Sequence, residues 1–400
     1  MPVEPAAALR GPTALAARAV GPDLSRGAML LLIALANAHA YLFGREVGVR
    51  GYPEQLDRLD AVVTWLLMTA VDGRAYPFFG LLFGYGLVQL LRRLERAGEP
   101  MVAARSLLRR RGGWLMLVGM LHAVLLFSGD ILGAYGLLAV LVAGVVLRSS
   151  DRVLLTAAAC CSVLVVVLAA GQGVPAPAGT ESFLPSLGTA DPARALGYRL
   201  VEWLTFTLFG AGIVAPAVLV GAWAGRHRLL DRPERQVRRL RTGASLGLAV
   251  GLVGAQPSAL AAAQVWQDPS SAGSVLAAVL HTVTGFAAGA GYVCLAGLLA
   301  VRLAGRRGPV AAALVATGQR SLSCYLAQSL VFVALLASYG GGLGDDLGVA
   351  EVTVAALLTW LGTVLLAAGL ARAGLPGPFE VLLRRLTYGP PRPAPAAPGP

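Results

Sequence analysis

The chain has 400 residues, of which 56% are hydrophobic and only 14% are charged, and its net charge is +12. A soluble domain of ordinary composition carries about 25% charged residues, so this composition excludes a soluble enzyme, a disulfide-rich secreted scaffold and a disordered chain. All 33 positively charged side chains are arginines. Because they cluster beside long apolar runs, we attribute the charge to membrane flanks and expect no nucleic-acid partner.

Ten apolar runs follow one another along the chain, and most have about the 20 residues that a helix needs to cross the hydrocarbon of a bilayer. The sequence therefore predicts an all-α fold, a polytopic membrane bundle of about ten transmembrane helices. A weaker run at 59–71 contains Asp60 and Thr64, and we interpret it as an interfacial or half-length helix. The ten runs are 27–44, 76–91, 112–128, 131–147, 153–170, 200–224, 242–263, 275–300, 309–338 and 352–371.

The chain is expected to form one transmembrane domain between two disordered tails. The domain covers 23–388 and divides into a motif-rich N-terminal half, 23–170, and a C-terminal half, 197–388. The tail at 1–22 and the Pro/Ala-rich tail at 389–400 contain too few large apolar residues to bury a core.

The arginine positions predict the orientation of the bundle. Six alternating segments hold 26 of the 33 arginines, and the positive-inside rule makes these segments cytoplasmic. Both termini then lie in the cytoplasm, with the bundle in the plasma membrane, provided that 59–71 does not cross. Arg45, Arg50 and Arg58 in the first outer loop weigh against this orientation.

His122 and Asp130 are the candidate catalytic pair. His122 lies in an apolar run, and Asp130 follows eight residues later at the junction with the next run. Ionisable groups are costly in a bilayer, which makes them functional candidates, and an imidazole with an acidic partner is a common general base. Structural roles are the alternative, because Asp130 also suits a helix cap and His122 also suits a hydrogen bond between helices.

Other polar side chains in the apolar runs are candidate substrate contacts. Asn37 and His39 are two residues apart on the first run, so they face different sides of a helix. In the run 309–338, Arg320 precedes a polar stripe with helical spacing, which we expect to face a cavity or another helix. The stripe consists of Ser321, Tyr325, Gln328 and Ser329.

The arginines before the run 112–128 allow two interpretations. Arg105, Arg109 and Arg110 suit an anchor on anionic lipids, to which each arginine near the surface contributes about 1 kcal/mol. They also suit the phosphates of a cytosolic acyl-coenzyme A, because a guanidinium group binds phosphate through two parallel hydrogen bonds.

Five short motifs resemble, in this order, those of the YeiB-like family of bacterial membrane proteins, also called domain of unknown function 418. Each motif is weak alone, but five in order over nearly the whole chain are specific. The fourth departs from the family pattern, with Gln319-Arg320 in place of a Gly-Arg pair. The motifs are Asp23-Leu24-Ser25-Arg26-Gly27; Phe79, Leu82-Phe83-Gly84 and Gly86; Gly119, His122, Gly129-Asp130-Ile131-Leu132 and Tyr135; Gly318 to Ser329; and Gly377-Pro378-Phe379-Glu380 with Arg384.

This resemblance implies a fold similar to that of the membrane acyltransferases, of the acyltransferase-3 and heparan-α-glucosaminide N-acetyltransferase types. Those enzymes move an acyl group from acyl-coenzyme A to an acceptor across the bilayer, and the analogy rests on the fold alone. The resemblance also implies that Asp23, Arg26, Tyr135 and Glu380 contribute to substrate binding.

The resulting hypothesis is an acyltransferase that uses acyl-coenzyme A as donor substrate, with no metal and no permanently bound cofactor. His122 serves as base toward a small-molecule, glycan or lipid acceptor, Asp130 orients it, and Arg320 and Tyr325 bind the acyl carbonyl or the acceptor. The scheme has to bridge the distance between an outer histidine and an inner arginine rim. The alternatives are a transporter of a small solute and a non-catalytic envelope protein, and the oligomeric state stays open.

Overall fold

The computed structural model describes residues 20–174, 176–303 and 308–389, and most of these residues are α-helical. Most of both expected disordered tails falls outside the described residues. Fourteen α-helices occur in the described part: α1 (Val20–Ala38), α2 (Arg58–Ala70), α3 (Ala75–Arg96), α4 (Met101–Leu125), α5 (Leu132–Arg148), α6 (Asp151–Gly171), α7 (Pro185–Gly188), α8 (Pro192–Arg226), α9 (Val237–Ala262), α10 (Ser271–Leu303), α11 (Pro309–Gln319), α12 (Ser321–Leu336), α13 (Val349–Arg372) and α14 (Pro378–Tyr388).

The helices have the length and surface of membrane helices. Five of them, α6, α8, α9, α10 and α13, are long and apolar enough to cross a membrane, and α5, α11 and α12 are shorter apolar helices. Their outward side chains are apolar as well: Val163 of α6 and Val201 of α8 are each 67% exposed. The all-α fold class is confirmed, and five helices satisfy this criterion where the sequence predicted about ten spans.

Two predicted runs differ from the helices that form, whereas the weaker run 59–71 forms a short helix of about the predicted length. The run 27–44 becomes α1, which ends at Ala38 because the chain turns through a 3-10 segment at His39–Tyr41. The run 309–338 is divided at Arg320 into α11 and α12. The weaker run 59–71 forms the 13-residue α2, which a turn at 71–74 separates from α3.

Hydrogen bonds between loops define two ends of the bundle. At one end, which we call the arginine-rich end, Arg226 at the end of α8 pairs with Asp151 at the start of α6, at 3.0 Å. At the opposite, arginine-poor end, Val47 donates to the carbonyl of Thr180, and Ser338 donates to the carbonyl of Leu187.

Glycines allow neighbouring helices to pack with their backbones in contact. A Cβ atom on Gly84 of α3 would lie 1.9 Å from the carbonyl oxygen of Val218 on α8. A Cβ atom on Gly221 of α8 would lie 2.1 Å from the carbonyl oxygen of Leu81. Small residues at such crossings are typical of membrane bundles, where close packing replaces the hydrophobic effect between helices.

Candidate functional site

His122 and Asp130 meet at the junction of α4 and α5. His122 lies in the last turn of α4, and its Nδ1 atom is 2.9 Å from Oδ1 of Asp130. The other carboxylate oxygen accepts a hydrogen bond of 2.7 Å from the backbone nitrogen of Gly133, in the first turn of α5. Asp130 therefore orients the imidazole and caps α5 at the same time, so the two roles considered from the sequence are compatible.

The pair is deeply buried, and the contact with Asp130 orients the imidazole. The side chains of His122 and Asp130 are 1% and 0% exposed. In a neutral imidazole with this contact, Nδ1 carries the proton that the carboxylate accepts, and Nε2 has the lone pair. Nε2 of His122 has no hydrogen-bond partner among the described residues. A buried nitrogen with a lone pair and an oriented ring has the properties of a general base.

Gly119 explains why the pair can form. This residue lies one turn before His122, and a Cβ atom there would come within 2.4 Å of Oδ2 of Asp130 and 2.5 Å of the backbone nitrogen of Gly133. Only glycine leaves room for the start of α5 to lie against α4. The spacing Gly119-x-x-His122 thus places the histidine and the carboxylate on the same contact between two helices.

Two charged residues of α8 hold the turn that carries Asp130. Arg199 donates to the carbonyl of Leu125 at 3.3 Å and is 6% exposed. Glu202 accepts from the hydroxyl groups of Ser128 and Ser186 at 2.5 and 2.6 Å. The sequence analysis missed both, although a charged pair at the start of the apolar run 200–224 was a visible signal.

A cavity of about 200 Å³ extends from the arginine-rich end as far as Tyr325, whose ring separates it from His122. Tyr325 lines its inner part, and the ring of Tyr325 packs against the ring of His122 with their centres 5.0 Å apart. Along α1 the lining extends from Arg26 to Ile33, about 10 Å at the rise of an α-helix. His122 lies behind Tyr325 and does not itself line the cavity.

All five sequence motifs contribute to this cavity, which we call the arginine cavity. Its charged lining residues are Arg26, Arg111, Arg384 and Glu380, three positive groups and one negative group. Its walls are apolar and aromatic, with an edge-to-face contact between Phe79 and Tyr135 at 4.3 Å. The motif residues that line it are Arg26, Phe79, Leu82, Phe83, Ile131, Leu132, Tyr135, Gly318, Gln319, Ser321, Leu322, Tyr325, Glu380 and Arg384.

Glu380 and Arg320 hold the break between α11 and α12, next to the arginine cavity. Glu380 accepts from the backbone nitrogens of Leu322 and Ser323 at 2.7 and 3.1 Å, so it caps α12 where the helix restarts after Arg320. The guanidinium of Arg320 is 2% exposed and donates to the carbonyl of Leu375. Arg320 therefore binds the backbone carbonyls of Leu375, between α13 and α14, and of Ala316 on α11, and it does not line the arginine cavity.

The predicted donor-binding arginines lie outside the arginine cavity. Arg109 and Arg110 are exposed on α4, and Arg105 lies half-buried against Gly144 of α5. Their neighbour Arg111 faces the cavity instead. Successive residues of a helix are rotated by 100°, so one arginine of a consecutive group faces inward while the others face outward.

The remaining candidate residues are divided between the two ends. Asp23 pairs with Arg26 at 3.2 Å at the start of α1. Gln328 is buried, and its Nε2 atom donates to Thr363 on α13. Asn37 and His39 lie toward the arginine-poor end, far along α1 from the cavity mouth.

A second buried polar centre surrounds Arg74, which the sequence analysis missed. Arg74 follows α2 in the turn at 71–74 and is 0% exposed. Its Nη1 atom lies 2.6 Å from Nε2 of His281 on α10, and its Nη2 atom donates to the carbonyl of Gly251 on α9 at 3.1 Å. Arg74 therefore holds His281 in a polar contact between helices, which is a structural role.

This second centre continues toward the arginine-poor end through Asp72. The carboxylate of Asp72 accepts a hydrogen bond of 2.6 Å from Tyr52, whose ring stacks on His39 at 4.2 Å. Burial raises the pKa of the Tyr52 hydroxyl well above its usual value, and the negative charge of Asp72 raises the pKa further. Tyr52 is therefore a permanent donor to Asp72.

Comparisons with known proteins support the C-terminal part of the resemblance. Residues 224–390 match the model of a family described as "Protein of unknown function (DUF418)". A stretch of 87 residues is 32% identical to the Uncharacterized protein YxaH of Bacillus subtilis (strain 168), and it covers 22% of this chain and 21% of that protein. The match thus spans about a fifth of the length of that relative.

The family match divides the candidate site. Tyr325, Glu380 and Arg384 lie within the matched residues, whereas His122 and Asp130 lie before them. The match covers less than half of the chain, and the description of the family states no activity. The geometry is therefore the basis of any functional conclusion.

Proposed function

We propose that the whole chain is a multispanning membrane protein of this family, with its arginine-rich end in the cytoplasm. The arginine bias between the two ends supports this orientation. The convergence of all five motifs on the arginine cavity supports membership beyond the matched residues, because motifs from both halves of the chain line one space.

Within that membrane protein, the proposed function is acyl transfer from an acyl-coenzyme A. One observation carries the proposal: a single cavity joins three arginines at the arginine-rich end to the ring of Tyr325, which packs on the buried pair of His122 and Asp130. A donor bound in this cavity would have its phosphates near the arginines and its thioester near His122, so it would span the distance between them along α4.

The lining of the cavity matches the parts of such a donor. Guanidinium groups of Arg26, Arg111 and Arg384 suit phosphates, and the aromatic and aliphatic walls suit an acyl chain and its thioester. A volume of about 200 Å³ accommodates only the thioester end. The nucleotide therefore stays outside, on the arginines at the mouth.

The proposed reaction uses His122 as a shuttle for one proton. The hydroxyl or amine of the acceptor attacks the carbonyl carbon of the thioester while Nε2 of His122 takes its proton. The carbon–sulfur bond then breaks, and the protonated imidazole returns the proton to the leaving thiolate. Asp130 stabilises the imidazolium between the two steps. The ring of Tyr325 has to rotate when the donor binds, because it separates His122 from the cavity.

The first test is ligand-induced stabilisation of the full chain in lipid nanodiscs. Acetyl-coenzyme A should raise the unfolding temperature saturably, since a ligand at 100 times its dissociation constant stabilises by about 2.7 kcal/mol. Arg111→Ala should reduce the shift, whereas Arg110→Ala, an exposed neighbour outside the cavity, should leave it unchanged.

The outcomes separate the proposal from its alternatives. A saturable shift that depends on Arg111 supports an acyl-coenzyme A site. No shift with acetyl- or longer acyl-coenzyme A contradicts the proposal and favours transport of a small solute, which flux measurements in liposomes then test. A shift of equal size in Arg111→Ala and Arg110→Ala would mean that the ligand binds to surface charge and not in the arginine cavity.

A further inference from the structure

A larger cavity of about 500 Å³ lies at the arginine-poor end and is unrelated to the proposed acyl transfer. It is lined by residues of the loop 47–54, by 172–174 and Ala176 after α6, and by residues of 258–278, which spans the end of α9 and the start of α10. We call it the glutamine cavity after Gln172, Gln264 and Gln267. It shares no lining residue with the arginine cavity.

Contacts between these three segments hold the walls of the glutamine cavity together. Arg50 in the first segment donates to the side-chain oxygen of Gln172 in the second. A Cβ atom on Gly173 would lie 2.6 Å from the carbonyl oxygen of Ser274, so the end of α6 rests directly on the start of α10. The walls are therefore fixed relative to one another.

Backbone strain is concentrated at this cavity. Four residues other than glycine have a positive φ angle in the part of the chain that the structure describes, and three of them line the glutamine cavity. They are Arg50, Gln264 and Asp268, with φ angles of 56°, 60° and 47°. Such conformations cost free energy and tend to occur at ligand sites, where they aim particular side chains.

The lining chemistry selects the class of ligand. The charged lining residues are Arg50, Glu54 and Asp268, one positive group and two negative groups, which disfavours phosphates and other anions. The three glutamine side chains each donate and accept hydrogen bonds, as hydroxyl groups do. Trp266, which is 37% exposed, presents an amphipathic ring of the kind on which the carbon face of a sugar stacks.

From this combination we propose that the glutamine cavity binds a neutral saccharide. The volume of about 500 Å³ lies in the range of roughly 300–1,000 Å³ that is usual for small-molecule sites, and it has room for a disaccharide. Trp266 stacks on one sugar ring, and the glutamine amides with Asp268 bind its hydroxyl groups. The site is independent of His122, so its occupancy does not require acyl transfer.

Calorimetric titration of the full chain in lipid nanodiscs tests this site, because nanodiscs avoid detergents with sugar headgroups. The probes are maltose, cellobiose and diacetylchitobiose, with glucose and glucose 6-phosphate as a pair that differs in charge. We expect saturable binding of at least one neutral disaccharide and weaker binding of glucose 6-phosphate than of glucose. Trp266→Ala should weaken binding about tenfold through the loss of stacking.

Control variants keep the result interpretable. Gln267→Ala removes an exposed amide of the cavity and should also weaken binding, whereas Gln55→Ala, exposed at the same end outside the cavity, should not. Each variant is checked for an unchanged unfolding temperature. The proposal is overturned by the absence of heat from every neutral saccharide up to about 10 mM, by preference for glucose 6-phosphate, or by equal loss in Gln55→Ala.

Discussion

The two cavities of this bundle differ in charge, wall chemistry and depth. The arginine cavity has three arginines against one carboxylate, aromatic walls, and a buried histidine and aspartate behind its inner wall. The glutamine cavity is lined by one arginine and two carboxylates, together with three glutamine amides and a partly exposed tryptophan. The two proposals therefore assign an anionic amphiphile to one end of the bundle and a neutral polar ligand to the other, because the two linings differ in charge.

The largest expected effect is the loss of turnover when the buried pair of His122 and Asp130 is changed. His122→Ala and Asp130→Asn should each reduce thiol release from acetyl-coenzyme A by at least about 100-fold, since a general base typically contributes 10²–10⁴-fold. Stabilisation by the same donor should remain, because neither side chain lines the arginine cavity.

The matched control for this prediction is His227→Ala, an exposed histidine at the arginine-rich end that contacts Asp151 at 2.7 Å. It should retain turnover. Equal rates in His122→Ala and the unmodified chain would break the assignment of His122 as the base.

A smaller effect on stability should follow from filling the contact between α4 and α5. Gly119→Ala introduces a Cβ atom 2.4 Å from Oδ2 of Asp130, so we expect a loss of about 1–3 kcal/mol in the free energy of unfolding. Gly113→Ala on the same helix meets nothing within 4 Å and should be neutral or slightly stabilising. Thermal unfolding of both variants measures the difference, and similar midpoints would contradict the close packing.

The next effect concerns the mouth of the arginine cavity. Arg384→Ala should weaken acetyl-coenzyme A binding about tenfold, because one guanidinium–phosphate contact is lost. Arg385→Ala changes an exposed neighbour on α14 and should leave the affinity unchanged. Titration calorimetry separates the two, and equal losses would assign the effect to surface charge.

The smallest expected effect is a difference in salt dependence between the two cavities. The Debye length falls from about 10 Å at 0.1 M salt to about 3 Å at 1 M, so added salt should weaken acetyl-coenzyme A binding several-fold. Saccharide binding in the glutamine cavity should change little, since stacking and neutral hydrogen bonds carry it. Equal salt dependence of both ligands would remove the electrostatic contrast.

The sequence predicted the His122 site better than it predicted the polar centre at Arg74. His122 and Asp130 are eight residues apart across a glycine turn, so a short local segment is enough to bring them together. Arg74 meets His281 across 207 residues, through a turn between two helices that apolar periodicity does not reveal. Long-range contacts of this kind depend on how helices pack, which one sequence does not contain.

Two further residues show where a sequence pattern stops being informative. Arg320 was predicted to bind substrate because it interrupts an apolar run. In the structure it binds the carbonyl of Leu375, and it lies at the break between α11 and α12. Arg111 differs from Arg109 and Arg110 only in its direction on α4. Periodicity gives relative directions on a helix, but the neighbouring helices determine which direction faces the cavity.

The most direct test of the central claim is the structure of the full chain in nanodiscs with a non-hydrolysable acetyl-coenzyme A analogue, determined by electron cryomicroscopy. The account predicts phosphates at Arg26, Arg111 and Arg384, a rotated Tyr325, and the acyl carbonyl beside His122, with space for an acceptor atom about 3 Å from Nε2. Analogue density on Arg109 and Arg110, or at the arginine-poor end, would contradict it.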